Sequence, residues 1–511
     1  MAGVPPRVHG LVRGLDGVGS SPQFEGRFGR MFRTLPAAKF SEKALKDLAT
    51  AMVAELEDPP TSEDDPQGDP EENSVISAGF TYLGQFIDHD LTFDPSSSLQ
   101  KQNDPDALVD FRTPRFDLDC VYGRGPDDQP YLYRADGIRL LQGRPLTGHP
   151  KDPKTRDVPR NNPADGEPKR ALIGDPRNDE NVIVSQLHSA MLRFHNRMAD
   201  LHPNAPFARV QRLTRFYYQW VVLNDFLPTI IGRETLESIL PHLKKKTDVL
   251  RDKPDLRFYT FRNNPFIPVE FSVAAYRFGH SMVRPIYRLN TTLPDRQVIF
   301  SLDAQVDNLV GFREFPSNWA IDWSLYFDFG NHPPKSGKNR LQPAYKIDSS
   351  LVNPLGQLPP SIAATVPSLA ERNLVRGLRM GLPSGQDVAR KMGIPVIPDK
   401  KLLVGKAAKE EGEDEENTPL TEISSEFEGK APLWYYILAE AQQDFQKKPK
   451  NETPTQLGPV GGRIVGEVFV GLMLGDRHSF LSQEPLFTPA KELTQDGKFG
   501  MAELIKQAMK A

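Results

Sequence analysis

The sequence predicts a mostly α protein with very little β, and three observations carry that expectation. Between the loops, apolar residues recur at the helical period, whereas strand-like alternation is sparse and short. Prolines number 47 in 511 residues, roughly twice the usual share. Such a chain is cut into short helices joined by stiff turns and irregular loops. Hydrophobic residues at 38% and charged residues at 25% are ordinary globular usage, so a sizeable core is expected.

Taken along the chain, helical patterns fit residues 41–56, 79–90, 184–201, 211–227, 269–280, 368–380, 433–441 and 462–474. The clearest is 184–201, where Leu187, Met191, Phe194, Met198 and Leu201 form one apolar stripe. Residues 211–227 are rich in aromatic side chains, and Pro228 is expected to end that helix. Three stretches read as solvated loops: the acidic, proline-interrupted 55–72, the mixed 150–169, and 406–419 with its acidic run. No internal repeat is evident.

Composition excludes several classes. A net charge of -4 rules out a broadly basic nucleic-acid binder. No stretch reaches the ~20 apolar residues that span a bilayer, so no integral membrane segment is expected. One cysteine, Cys120, excludes an intramolecular disulfide and any all-cysteine metal or iron–sulfur site. The N-terminus lacks the basic-then-apolar pattern of a secretory leader. A cytoplasmic protein, or one exported without a signal peptide, is expected.

Five clusters carry chemistry. Gly79–Asp90 has a helix period in which Gln85, Asp88 and His89 share a face while Asp90 points elsewhere. Alone, they also fit a polar helix end in solvent or a small metal site. The run Thr113-Pro-Arg-Phe-Asp-Leu-Asp-Cys-Val-Tyr-Gly123 places Thr113, Asp117 and Asp119 close together. With Asp90 these could form an all-oxygen cage for a hard cation such as Ca2+, or a solvated acidic turn. Gly174-Asp-Pro-Arg-Asn-Asp-Glu-Asn181 carries Arg177 and Glu180 one turn apart, and Asp175 and Pro176 also suit a plain helix start. His188 and His195 follow on one helix face, where core histidines are the ordinary reading. Tyr276-Arg-Phe-Gly-His280 leaves His280 open between core residue and axial haem ligand, with Gly279 permitting close approach of something bulky. Asn373 and Arg376, one turn apart before Gly381 and Pro383, say little alone. The glycines of 458–466 lack the preceding strand and the acidic ribose partner of a nucleotide site.

In this order the five clusters resemble the haem peroxidases of the peroxidase–cyclooxygenase superfamily, the animal-type enzymes and their bacterial relatives. The likeness runs from about residue 40 to 480. It implies one large domain, because the haem partners run from Gln85 to Arg376 and must converge on one cofactor: a central helical core around a buried haem. The expected organisation is an N-terminal extension over 1–40, a catalytic domain over 41–480, and a C-terminal tail over 481–511 packed on or extending from it.

The resemblance implies roles. His280 would be the axial ligand of haem b and Asn373 would orient its other ring nitrogen. His89 would move the peroxide proton, and Arg177 would stabilise charge during O–O cleavage. Gln85 would bind a distal water or small anion. Asp90, Thr113, Asp117, Asp119 and the Arg115 carbonyl would hold Ca2+. Asp88 and Glu180 match carboxylates that form haem esters in many members, and Arg277 and Arg376 would meet the propionates. Asn181 stands where some members carry a haem-linked methionine, so that link is not expected. Arg277 stands where fatty-acid oxygenases carry their radical tyrosine, three residues before the proximal histidine.

The implied function is a monomeric, haem-dependent peroxidase. It would use hydrogen peroxide to form a ferryl species, oxidise small organic donors or anions, and serve the response to oxidative stress. Two alternatives are a haem fatty-acid dioxygenase of the same superfamily and a non-enzymatic calcium-binding interaction module.

Overall fold

The structure is a computed structural model, and it describes residues 26–55, 69–92, 109–110, 112–164, 166–261, 265–303, 306–330, 333–334, 336–360, 362–363, 365–408, 417–450 and 452–511. Most of the acidic stretch 55–72 and of the acidic run within 406–419 lies outside these residues. Helices dominate, as the apolar periodicity predicts, and strands are confined to pieces of six residues or fewer.

The predicted helices are found at Glu42–Ala51, Ala78–Leu91, Val182–Leu201, Phe207–Val221, Leu369–Arg379, Leu433–Ala441 and Pro459–Gly475. Their starts follow local chemistry. Ser41 and Ser368 accept a backbone N–H three residues on, from Ala44 and Glu371. Asn181 accepts from both Ile183 and Val184. These contacts satisfy N–H groups that a helix leaves unpaired at its first turn.

Pro459–Gly475 is buried on nearly every side and forms the middle of the core. Its glycines serve packing: a Cβ on Gly466 would come within 2.5 Å of Ile239. The helix Met501–Ala508 packs on Val182–Leu201, and Asp225 holds its start by accepting the Met501 N–H at 2.7 Å. At the other end, the buried Glu270 carboxylate accepts the N–H groups of Met31 and Phe32 at 2.9 and 3.1 Å. Phe28, Met31 and Phe32 therefore join the core although they lie within 1–40.

Three expectations are corrected. Pro228 does not end its helix. The chain passes from Phe207–Val221 into a wider π turn at Val222–Phe226 and on through Leu227–Ile231, stopping at Gly232 with φ 72°. Pro228 falls in the first turn of that last piece, where a missing N–H costs little. Residues 269–280 are not one α-helix but a π turn, Glu270–Ala274, followed by a 3-10 turn, Ala275–His280. Residues 150–169 are not merely solvated: Asp152 is buried against Arg193 at 3.0 Å, and Arg160 binds Asp157 and Asp179, each at 2.8 Å.

The strands are short clasps. Gly26–Gly29 pairs antiparallel with Val109–Asp110 and parallel with Ile267–Pro268. Glu72–Ser77 pairs with Pro343–Tyr345 across an irregular register, directly before the helix Ala78–Leu91. No helix among the described residues is long and apolar enough to cross a membrane.

Candidate functional site

The helix Ala78–Leu91 turns two sets of side chains in different directions. Phe86 and Ile87 are fully buried. Gln85 and Asp88 are half-buried, and His89 is 5% exposed. Gln85 donates its amide to Glu180 and accepts from Asn181 at 3.1 Å. His89 places Nδ1 2.8 Å from Oδ1 of Asn178. Burial, reinforced by the Arg177 charge, lowers the His89 pKa to about 4, so its imidazole is neutral at pH 7.

Arg177 comes from the single turn Pro176–Asp179, which Asp175 caps by accepting its N–H at 2.9 Å. Its guanidinium donates to the carbonyls of His89, at 3.1 Å, and Thr92. It also donates to Asp175 at 2.8 Å. Burial pushes the Asp175 carboxyl up, but Arg177 and then Arg112 overcome it and hold the group well below the usual carboxylate range. Glu180 has its pKa raised to about 7 by burial, against the pull of Arg177.

The other face of the helix carries Asp90, which is fully buried and whose two carboxylate oxygens have no hydrogen-bond partner. Two of its neighbours are acidic: ligand oxygens of Asp90, Asp117 and Asp119 lie within 4.8 Å of one another. Leu118 lies between the latter two in the left-handed region, φ 58° and ψ 34°. That backbone turn aims both carboxylates at Asp90. Thr113 donates its hydroxyl to Asp117 at 2.8 Å. Arg115 belongs to the same loop and lies 3.7 Å from Asp476. Arg112 sits 3.3 Å from Asp119 and 2.6 Å from Asp175. The three carboxylates and Arg112 sum to -2. Buried, unpaired carboxylates are costly, and an all-oxygen set of this charge suits a hard divalent cation.

The third group surrounds His280. Its Nδ1 lies 2.7 Å from the Asn373 amide, and its ring meets Trp434 edge to face at 6.5 Å. Trp434 donates its indole N–H to the Arg277 carbonyl at 3.2 Å. Burial, then Arg277 and Arg372, lower the His280 pKa to about 3. Arg277 donates to the Ser272 carbonyl at 2.8 Å, and its charge also acts on Glu180. Arg376 lies half-buried one helical turn beyond Asn373. Tyr276 ties this segment to the His89 helix by donating to the Gly84 carbonyl at 3.2 Å.

Glu180 and His280 keep measurable surface area although burial dominates both pKa shifts. The two findings agree if these side chains line an internal cleft. Gly279 supports this, because a Cβ there would meet nothing within 4 Å. A cleft bounded by one neutral histidine, flanking arginines and carboxylates, and a second histidine with a pinned Nδ1 has the donor set for a haem.

All fourteen sequence-predicted residues thus fall into three groups joined by one helix and its contacts. Gln85, Asp88, His89, Arg177 and Glu180 form the first. Asp90, Thr113, Arg115, Asp117 and Asp119 form the second, and Arg277, His280, Asn373 and Arg376 extend the cleft as the third. Sequence reasoning missed Asn178 and Arg372 and treated Asp175 and His188 as ordinary helix residues. Asn178 contacts residues 89 and 10 positions away, which no local period reveals; for Asp175, its place two residues before Arg177 was the available signal.

Residues 99–308 match the family model described as animal haem peroxidase. Peroxidasin of Drosophila melanogaster is 25% identical over 256 residues, covering 47% of this chain and 15% of that protein. Thyroid peroxidase of Homo sapiens is 25% identical over 239 residues, covering 44% of this chain and 23% of that protein. The matched part therefore spans less than a quarter of either relative. Among solved structures, peroxidase A from Dictyostelium discoideum has a TM-score of 0.59 at 17% identity, covering 95% of this chain and 93% of that one. The fatty acid alpha-dioxygenase of Oryza sativa has a TM-score of 0.56 at 16% identity, covering 93% and 77%. Both structural likenesses are of fold.

Proposed function

We propose that this chain is a peroxidase of the haem peroxidase superfamily, using haem b, hydrogen peroxide and small organic or anionic donors; the match of residues 99–308 to the animal haem peroxidase model supports the reading. The observation that carries the reading is a pair of histidines that each meet an asparagine amide through one ring nitrogen. His89 and His280 each have Nδ1 held by an asparagine amide, Asn178 and Asn373. The Asn178 Oδ1 leaves His89 its Nε2 lone pair for the cleft, whereas Asn373 turns Nδ2 to His280, so iron binding at the His280 Nε2 requires that amide to turn its Oδ1 to the ring. His280 would offer Nε2 to the iron, with Asn373 fixing the ring orientation. Arg277 and Arg376 would meet the propionates, and Asp88 and Glu180 would be the carboxylates for ester links. When bound, the haem supplies the two-electron reduction of peroxide and the oxidising power passed on to donors.

The chain's own groups move the protons and charge. His89, neutral and with Nε2 free, takes the proton of the incoming peroxide and returns it to the oxygen that leaves as water. Arg177, held by Asp175 and two carbonyls, keeps a positive charge beside that oxygen as negative charge develops. Gln85 offers an amide to a distal water or small anion. Ca2+ held by Asp90, Asp117 and Asp119, with Thr113 and the Arg115 carbonyl, would fix the helix that presents His89.

The dioxygenase reading lacks its tyrosine here. Position 277 is an arginine, and the neighbouring Tyr276 hydroxyl donates to Gly84 while its ring is stacked on Phe271 and enclosed by Phe469. The test is the absorption spectrum of haem-loaded protein with and without peroxide. A Soret band that shifts on adding peroxide is expected. Replacing His89 or Arg177 with Ala should slow that shift by orders of magnitude with haem retained. Parental rates in both variants would refute the assignment.

A further inference from the structure

Asn178 does more than touch His89. It is fully buried, its amide Oδ1 faces Nδ1 of His89 at 2.8 Å, and its Nδ2 faces Nδ1 of His188 at 3.1 Å. His188 is also fully buried, on the helix Val182–Leu201. Its ring packs edge to face on Phe86 at 6.1 Å, and its Nε2 has no hydrogen-bond partner. Phe86 belongs to the same helix as His89, so the two histidines and the amide form one enclosed unit.

An amide has an acceptor end and a donor end, which ties the protonation of its two neighbours together. With Oδ1 toward His89, that ring must donate from Nδ1, and its lone pair is on Nε2. With Nδ2 toward His188, that ring must accept at Nδ1, and its proton is on Nε2. Turning the amide over exchanges both tautomers at once. His89 would then carry its proton on Nε2 and could not take one from a ligand in the cleft. A wrong tautomer in a correct geometry abolishes base catalysis in other enzymes, so the orientation of this amide decides whether the site works.

We infer that Asn178 and His188 are positioning residues that lock the tautomer of His89, with His188 acting through the amide. The inference rests on His89 being the peroxide base, but the tautomer lock can be read without activity. The backbone supports a fixed amide: Asn178 N–H donates to the Asp175 carbonyl at 3.1 Å inside the capped turn Pro176–Asp179. Asn178 and His188 are fully buried and His89 is only 5% exposed, so little solvent competes for the facing nitrogens.

Neutron diffraction of the deuterium-exchanged holoprotein reads the unit directly. Deuterium is expected on Nδ1 of His89 and Nε2 of His188, with the Asn178 ND2 group toward His188. The opposite pattern overturns the inference even if peroxide reacts normally. In stopped-flow kinetics, Asn178→Leu should slow the peroxide reaction by about 10–100-fold, the usual range for losing an orienting partner. Asn178→Asp, which keeps an acceptor for His89 but adds charge, should recover part of that loss at high pH, with the loss growing as pH falls because the carboxylate raises the His89 pKa. His188→Gln, which keeps an acceptor for the amide, should likewise outperform His188→Leu. Losses that follow melting temperature, with no rescue by the acceptor-bearing variants, would make the unit merely structural and overturn the inference. If His89→Ala reacts at the parental rate, the peroxidase reading fails, whereas the neutron map still decides the tautomer lock.

Discussion

Removing calcium should destabilise the protein in a concentration-dependent way. Three carboxylates with oxygens within 4.8 Å of one another repel by about 3–4 kcal/mol per pair at an effective dielectric of ~20. Arg112, 3.3 Å from Asp119, offsets about half of the sum by the same arithmetic. The remainder is on the order of 5 kcal/mol with all three ionised. Burial and the neighbouring carboxylates raise the Asp90 and Asp119 pKa, the latter to about 7. Without the cation, part of this cost is therefore relieved by protons that cation binding displaces. Binding at a hundredfold excess over Kd stabilises by about 2.7 kcal/mol, and each further decade of free ion adds about 1.4 kcal/mol. A chain of this size unfolds with an entropy near 1 kcal/mol/K, so Tm should rise roughly 1–1.5 °C per decade of free calcium. Calorimetry in EGTA-buffered calcium measures this slope directly. Asp90→Ala should flatten it and abolish the single calcium-binding event in a titration. A Tm that is constant across three decades of calcium in the parent protein would refute the reasoning.

Three other outcomes follow from the structure. Gly279→Val adds its Cβ where nothing lies within 4 Å, on the side proposed for the haem; the fold should persist by circular dichroism while haem uptake weakens, and unchanged Soret titration would count against a haem there. Asp175→Ala removes the fully buried carboxylate shared by Arg112 and Arg177 and should cost about 3–5 kcal/mol in urea unfolding, as breaking a buried ion pair does, with near-parental stability contradicting it. Glu440 is buried, which raises its pKa to about 7 against backbone N–H donation from Gly461 and Val460. Its neutral form is therefore favoured in the native state, and its contribution to stability falls as pH rises from the unfolded value of 4.5 through about 7. Glu440→Gln should gain on the parent by up to about 3 kcal/mol between pH 5 and 8, whereas a pH-independent difference would remove Glu440 as the source.

Helical period was enough to separate Asp90 from Gln85, Asp88 and His89, because direction around a helix is a local property. The structure sends Asp90 to the acidic cluster and His89 to Asn178, as that geometry requires. It was not enough at Pro228, where an expected stop became a continuous helix. There the π turn Val222–Phe226 shifts the hydrogen-bond register, so the proline enters a first turn rather than an interior. Nor did it describe 269–280, whose apolar spacing fits an α-helix but whose backbone is wound wider and then tighter to deliver His280 to the cleft.

Direction is local, but partnership is not. His89 and Asn178 are 89 residues apart, and His280 and Asn373 are 93 apart. A family likeness supplied Asn373, since it lies in a motif; it passed over Asn178, which stands beside Arg177 inside another motif. The two amides each hold an imidazole through Nδ1, but with opposite ends: Asn178 presents Oδ1 to His89 and Asn373 presents Nδ2 to His280. An asparagine can do so without adding charge, so each imidazole stays neutral in a buried site where a carboxylate partner would pull it toward the cation. The proximal ligand and distal base proposed for His280 and His89 would both need that neutrality, and an amide partner preserves it.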